Sequence, residues 1–131
     1  MILVDSSVWI DYFNGTVSPE AEFLDRTLGE EPVAIGDLII TEVLQGFRSD
    51  ADYRIARSSL SALPAYQLLN PDLAIAAADH YRELRKMGIT VRKTTDMIIG
   101  SYCIHHQLLL LFSDRDFDPM VEHLGLRSAI A

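Results

Sequence analysis

Short apolar runs alternate with longer segments of helical periodicity along the whole chain. We predict strands at 2–4, 32–35, 65–69, 108–112 and 126–128. Helices are predicted between them at 6–13, 18–28, 37–46, 50–62, 73–86 and 95–106, with a short one after the loop at 113–119. This alternation predicts an α/β fold in which helices cover both faces of a central, mostly parallel sheet of four to five short strands.

The residues at the predicted helix ends support these boundaries. Pro19 and Pro71 stand at first helical positions, where a missing N–H group is tolerated. Gly15, Gly29 and Gly88 follow the last helical residues, as glycine often does. A serine is the predicted N-cap of the first helix.

Length and composition predict one globular domain over residues 1–131. The chain of 131 residues is too short for two ordinary domains. Its 49% apolar and 23% charged residues exclude a disordered chain. The lone Cys103 cannot form an internal disulfide, and the N-terminus lacks the pattern of a signal peptide. We therefore expect a cytoplasmic protein with no membrane-spanning segment.

The net charge of −8 lowers the expectation of a nucleic-acid partner, because such proteins usually carry a basic stripe. It does not exclude one, since acids that converge on a divalent cation would have part of their charge neutralised.

Four acidic residues stand where a parallel sheet would bring them to one rim. Asp5 follows the first strand directly, and Asp114 follows the fourth by two residues. Glu42 lies one turn into the helix after the second strand, and Asp96 begins the helix before the fourth. Ligands of such sheets bind at the carboxyl ends of the strands.

Carboxylates this close would repel one another, by roughly 4 kcal/mol per pair at about 4 Å and an effective dielectric of about 20. A hard divalent cation, Mg²⁺ or Mn²⁺, would relieve the repulsion and would suit phosphodiester hydrolysis. Asp5 is an ionised group after an apolar run and needs a partner, but each of the other three acids also has an ordinary interpretation. Asp96 suits a helix start, Glu42 a solvated helix face, and Asp114 a turn, so spacing alone leaves the function open.

Four segments together resemble the PIN-domain family, particularly the VapC-type toxins of bacterial toxin–antitoxin pairs. The chain opens Met-Ile-Leu-Val-Asp5-Ser-Ser-Val-Trp-Ile, as these proteins do. The others are Ile39-Ile40-Thr41-Glu42-Val43-Leu44-Gln45-Gly46, Thr95-Asp96-Met97-Ile98-Ile99-Gly100 and Ser113-Asp114-Arg115-Asp116-Phe117. They occur in the family's order and extend over nearly the whole chain.

The resemblance implies a PIN fold and an endoribonuclease dependent on Mg²⁺, with Mn²⁺ as a substitute. It assigns catalysis to Asp5, Glu42, Asp96 and Asp114, and metal binding to Asp5, Asp96 and Asp114 with Asp116 as an auxiliary ligand. Ser7 matches a small hydroxyl residue that positions Asp5 or a water. The implied partners are an RNA substrate, a cognate antitoxin whose C-terminal tail covers the site, and a second copy in a homodimer.

One residue departs from the family's pattern. Phe112 stands two residues before the fourth aspartate, where many members carry a polar side chain, and Ser113 is the partial substitute. Three basic residues beside the acids, Arg92, Lys93 and Arg115, are the predicted phosphate contacts.

Other site types fit the sequence less well. A calcium loop beginning at Asp114 would need glycine and glutamate where the chain has Pro119 and Gly125. A phosphatase with an aspartate nucleophile would need a second aspartate where Ser7 stands. A serine hydrolase lacks its Gly-x-Ser-x-Gly turn, and the histidines are expected to be structural, with His80 on a helix surface.

Two alternatives remain open from the sequence. A PIN-like module that only binds a partner would be expected to lack one or more acids, and all four are present. A nuclease acting on DNA would use the same metal chemistry, and no residue identifies a 2′-hydroxyl contact.

Overall fold

The computed structural model describes residues 1–130 and contains alternating strands and helices. The strands are β1 Ile2–Val4, β2 Val33–Gly36, β3 Ala65–Tyr66, β4 Leu109–Leu111 and β5 Arg127–Ser128. The helices are α1 Ser6–Asn14, α2 Pro19–Thr27, α3 Asp37–Leu44, α4 Asp50–Ser61, α5 Pro71–Lys86, α6 Thr94–His106 and α7 Asp118–His123, with a 3₁₀ turn at Arg115–Phe117.

The five strands form one parallel sheet in the order β3-β2-β1-β4-β5. The central strand β1 is buried throughout, with Leu3 paired to Ala34 on one side and Leu110 on the other. The helices form two packed groups, α1 with α2 and α3, and α5 with α6. The predicted α/β fold is confirmed. The two edge strands, β3 and β5, are only two residues long.

The first helix begins differently from the prediction. Its N-cap is Asp5, not a serine, because the Asp5 carboxylate accepts a hydrogen bond from the Ser7 backbone N–H. Asp5 also ties the helix to the sheet, since its own N–H donates to the Leu111 carbonyl at 2.9 Å. The same aspartate therefore starts α1 and ends β1.

The third strand is shorter than the predicted 65–69. After Tyr66 the chain leaves the sheet, and the Leu68 N–H donates to Asp37 Oδ1 at 3.1 Å. The Leu68 side chain is fully buried over Gly36. A Cβ atom on Gly36 would stand 2.8 Å from Leu68 Cδ2 and closer still to its Cγ and Cδ1. Glycine at the end of β2 is what permits this close approach.

A second glycine permits close packing beside the acidic residues. Gly100 lies in α6, and a Cβ atom there would overlap Met120 Sδ and stand 3.8 Å from Phe117 Cδ1. Phe117 and Met120 are both fully buried. Because Gly100 has no side chain, the 3₁₀ turn and α7 pack directly against α6. This helix carries Asp96 in its first turn.

No helix within residues 1–130 is long and apolar enough to cross a membrane.

Candidate metal centre

The acidic residues are held by the ends of neighbouring strands. Asp5 follows β1, and Asp114 caps the 3₁₀ turn that follows β4. Because β1 and β4 are adjacent and parallel, their carboxyl ends meet at one rim of the sheet. Asp5 is 2% exposed, and burial of a carboxylate to this degree calls for a compensating charge or hydrogen bonds.

Asp96, Asp114 and Asp116 form a cluster. One carboxylate oxygen from each lies within 4.8 Å of the other two. The Asp116 N–H donates to Asp114 Oδ1 at 2.9 Å, so the 3₁₀ turn itself sets the spacing of these two aspartates. Asp96 is the most buried of the three, at 3% exposed. Hard oxygen ligands at this spacing suit a divalent cation.

Glu42 lies near Asp5 but is not part of that cluster. It is half-buried on α3 and accepts a hydrogen bond from Ser6 Oγ at 3.3 Å. Burial raises the pKa of Glu42, and the negative charge of Asp5 raises it further. Ser6 was not among the residues expected to act here. Its position directly after Asp5 in the sequence is the signal that could have identified it.

A line of hydroxyl groups supports Asp5. Ser7 Oγ donates to Asp5 Oδ2 at 2.6 Å, and Ser113 Oγ donates to Ser7 Oγ at 3.2 Å. Phe112 is buried instead, with its ring 5.2 Å from that of Phe117. Ser113, the residue after Phe112, is therefore the polar side chain at the end of β4 that reaches Ser7.

Burial and, to a smaller extent, mutual repulsion raise the pKa values of the buried carboxylates. Burial, followed by the charges of Asp5 and Asp114, raises the pKa of Asp96 to about 7. Burial also raises the pKa of Asp5, and the hydrogen bonds from Ser7 partly offset that effect. The site thus holds more negative charge than the protein alone stabilises at neutral pH.

Two buried carboxylate oxygens have no hydrogen-bond partner among the described residues, Asp5 Oδ1 and Asp96 Oδ2. An unpaired buried carboxylate oxygen is strongly unfavourable, and a divalent cation satisfies it directly. The donor set is made of carboxylate oxygens, the ligands that Mg²⁺ and Mn²⁺ prefer. The residues at this rim therefore fit a hard divalent cation.

Two basic side chains lie against the cluster. Lys93 Nζ is 3.6 Å from Asp114 Oδ2, and an Arg92 guanidinium nitrogen is 3.4 Å from Asp116 Oδ2. The negative charge of Asp96, and then that of Asp114, raises the pKa of Lys93. Both side chains are mostly exposed, so each of these ion pairs contributes little to stability. Arg115 pairs with Asp118 instead.

Comparison with known proteins gives one consistent family. The PIN domain family matches residues 2–121 of the chain. Two similar relatives are VapC ribonuclease Mb1587 of Mycobacterium bovis and ribonuclease VapC11 of Mycobacterium tuberculosis. Each is 36% identical to this chain over 134 residues, covering 98% of this chain and 98% of the relative.

Solved structures share the fold. The chain matches one chain of VapBC2 from Rickettsia felis bound to a DNA fragment from its promoter, with a TM-score of 0.76 and 15% identity. That match covers 98% of this chain and 97% of the other. A toxin–antitoxin complex from Klebsiella pneumoniae matches with a TM-score of 0.69 and 24% identity, covering 89% and 90%.

Proposed function

This chain belongs to the VapC branch of the PIN-domain family, and on that premise we propose that it is a Mg²⁺-dependent endoribonuclease acting as the toxin of a toxin–antitoxin pair. The observation that carries the proposal is the acidic rim itself. Asp96, Asp114 and Asp116 cluster there, and the two orphaned oxygens belong to Asp5 and Asp96. Residues 1–131 act as a single domain in this proposal.

The proposed metal ligands are Asp5, Asp96, Asp114 and Asp116. A bound divalent cation supplies charge neutralisation at the scissile phosphate and an acidified water. The protein holds the ligands in place. Ser7 orients Asp5 through its 2.6 Å hydrogen bond, and the Asp116 N–H fixes Asp114.

Glu42 is proposed to orient the attacking water and accept its proton. It lies beside Asp5 but outside the cluster of three aspartates, so it is free to act on the water. Its raised pKa brings it closer to the pH at which a general base works well. Arg92 and Lys93 are proposed to leave the acids and bind the phosphates of the substrate.

The proposed partners are the RNA substrate, a cognate antitoxin and a second copy of this chain. The similar relatives are named as ribonucleases, and the structural neighbour from Klebsiella pneumoniae is named as a toxin–antitoxin complex. An antitoxin tail that covers the acidic rim would keep substrate away from it. We propose RNA rather than DNA as the substrate because those relatives are named as ribonucleases.

The test is cleavage of a panel of structured RNAs and a matched single-stranded DNA by the purified protein free of antitoxin. Each reaction is run with Mg²⁺, with Mn²⁺ and with EDTA. We expect cleavage of RNA with either ion and none with EDTA. Cleavage of the DNA alone would identify a DNA nuclease. No cleavage together with no Mn²⁺ binding by calorimetry would leave a non-catalytic binding module.

Lys93→Met is expected to bind Mn²⁺ more tightly than the wild type. The Lys93 ammonium lies 3.6 Å from Asp114 Oδ2, so it competes with a cation for the same carboxylates. An exposed ion pair is worth at most about 1 kcal/mol, which corresponds to about a fivefold gain in affinity. The measurement is a calorimetric Mn²⁺ titration without RNA. Lys86→Met, an exposed lysine at the end of α5, is the control and should leave affinity unchanged. Weaker binding by Lys93→Met would contradict the competition.

A further inference from the structure

A groove of about 650 Å³ lies between α5 and α6, beside the acidic rim. Its floor is apolar and buried, formed by Ala77, Met97 and Ile98. The half-buried ring of Tyr81 stands at its side. The volume falls within the range of about 300–1,000 Å³ that is usual for small-ligand sites. We call this feature the α5–α6 groove.

The charge of the α5–α6 groove is opposite to that of the whole chain. The protein has a net charge of −8, but the described residues that line the groove include Arg82, Arg85 and Arg92 and no acidic side chain. Within residues 1–130, neither Arg82 nor Arg85 forms an ion pair. The guanidinium of Arg85 instead lies over the Tyr81 ring, 5.6 Å from its centre. An acidic protein thus carries a local basic surface beside an aromatic ring.

The groove is continuous with the metal centre through Arg92. This residue lines the groove, and its guanidinium reaches 3.4 Å from Asp116 Oδ2. Thr94 and Met97 also line the groove, and both lie in the first turn of α6 together with Asp96. A polymer whose phosphate is cut at the acidic rim would therefore extend into the groove with its neighbouring residue.

We propose that the α5–α6 groove binds a nucleotide of the RNA substrate next to the scissile phosphate. This inference rests on the proposed ribonuclease function and names the surface that holds the substrate. The base lies on the apolar floor and stacks on Tyr81, in the place that the flat guanidinium of Arg85 now takes. Arg82 and Arg85 then bind the backbone phosphates on either side of the base.

Other occupants fit the groove less well. A partner helix or a second copy that docked through apolar contacts would bury the exposed face of Ala78 and the arginines beside it. Burying guanidinium groups without acidic partners is unfavourable. A nucleotide fits both the apolar floor and the arginines of the groove. Its base is flat and apolar on its faces, and its phosphates are anionic.

The experiment compares two double variants with the same change in charge. Arg82→Ala with Arg85→Ala removes the groove arginines, and Arg54→Ala with Arg57→Ala removes two exposed arginines of α4 that lie outside the groove. Ala78→Trp blocks the groove without changing charge. All are made in the wild type for cleavage, and in Asp96→Asn for binding of a fluorescein-labelled hairpin RNA with single-stranded flanks. Thermal melting checks that each variant is folded.

We expect the groove variants to bind the labelled RNA about tenfold more weakly, with little change in the α4 control. For the arginine pair, the slope of log affinity against log salt should become shallower by about 0.7 for each phosphate that the protein no longer neutralises. For cleavage, KM should rise while kcat stays near the wild-type value, because the groove binds substrate and transition state alike.

Three results would overturn the proposal in distinguishable ways. If the wild type cleaves RNA and the groove variants match the α4 control, the substrate does not use the groove. If the groove variants instead change the sedimentation of the protein and leave RNA affinity unchanged, a second copy occupies it. If the wild type neither binds nor cleaves RNA, the ribonuclease function itself is wrong.

Discussion

Asp96→Asn is expected to abolish RNA cleavage and yet to raise the melting temperature of the metal-free protein above neutral pH. Loss of even an outer partner of a metal ligand lowers activity or affinity by about 10–100-fold, so removal of a ligand carboxylate should exceed about 100-fold. The gain in stability follows from the burial of the Asp96 carboxylate and, after that, from the negative charges beside it. Asp96 is buried beside Asp5 and Asp114, and its pKa is about 7.

The dependence on pH distinguishes this effect from a general change in stability. An unfolded aspartate titrates near 3.8, below the pKa of about 7 in the folded chain. The Asp96 carboxyl therefore stays protonated to a higher pH in the folded state than in the unfolded state. The free energy of unfolding of the wild type consequently falls as pH rises from about 4 to about 7. Asn cannot ionise, so its advantage should already be present at about pH 5 and should be larger, by several degrees, at about pH 8.

Thermal melting in EDTA at both pH values measures this advantage. Addition of Mn²⁺ should stabilise the wild type and leave Asp96→Asn unchanged. Asp79→Asn, an exposed acid on α5, is the control and should show neither effect. A variant that melts lower than the wild type at about pH 8 would show that the Asp96 carboxylate is not a source of repulsion in the folded protein.

Gly36→Ala is expected to lower the free energy of unfolding by about 3 kcal/mol, at the upper end of the range for overpacking. The added methyl group would meet three carbon atoms of Leu68, which is fully buried and whose backbone N–H is held by Asp37. Leu68 therefore has little room to move. Urea denaturation of wild type and variant gives the difference. Gly46→Ala is the control, since its Cβ would meet only the Val43 carbonyl at an ordinary 3.7 Å.

A double variant tests whether Leu68 is the cause. Leu68→Ala alone should lower stability by about 2–5 kcal/mol, because it leaves a cavity. Combined with Gly36→Ala it should lower stability by little more, since the space for the new methyl group is then free. If the double variant lost as much free energy of unfolding as the two single variants together, contact with Leu68 would not be the cause of the Gly36→Ala effect.

The features predicted correctly from the sequence are those set by local pattern. A continuous apolar run that ends in a carboxylate, as at Val4 and Asp5, identifies both a buried strand and the rim residue after it. The order of strands and helices then requires a parallel sheet, because each crossover contains a helix. The catalytic and metal-binding roles of Asp5, Glu42, Asp96, Asp114 and Asp116 stay predictions until variants are tested.

The features that were wrong or missed depend on contacts between distant segments. Strand β3 ends early because Leu68 turns away to cover Gly36, a contact across 32 positions that no local pattern encodes. His80, expected at the surface, is half-buried with its Nδ1 2.8 Å from the Oγ of the buried Ser101. Lys93 reaches Asp114 only because the 3₁₀ turn packs on α6.

The short edge strands have a consequence for how this protein assembles. An open sheet edge invites another chain to continue the ladder, which leads to uncontrolled aggregation. Here each edge offers only two residues of strand, and on one of them the Arg127 guanidinium folds back to donate to the Gln107 carbonyl at 2.6 Å. Neither edge presents a template long enough to recruit a partner strand. Association of this chain with itself or with another protein should therefore bury helical surfaces and leave the sheet as it is.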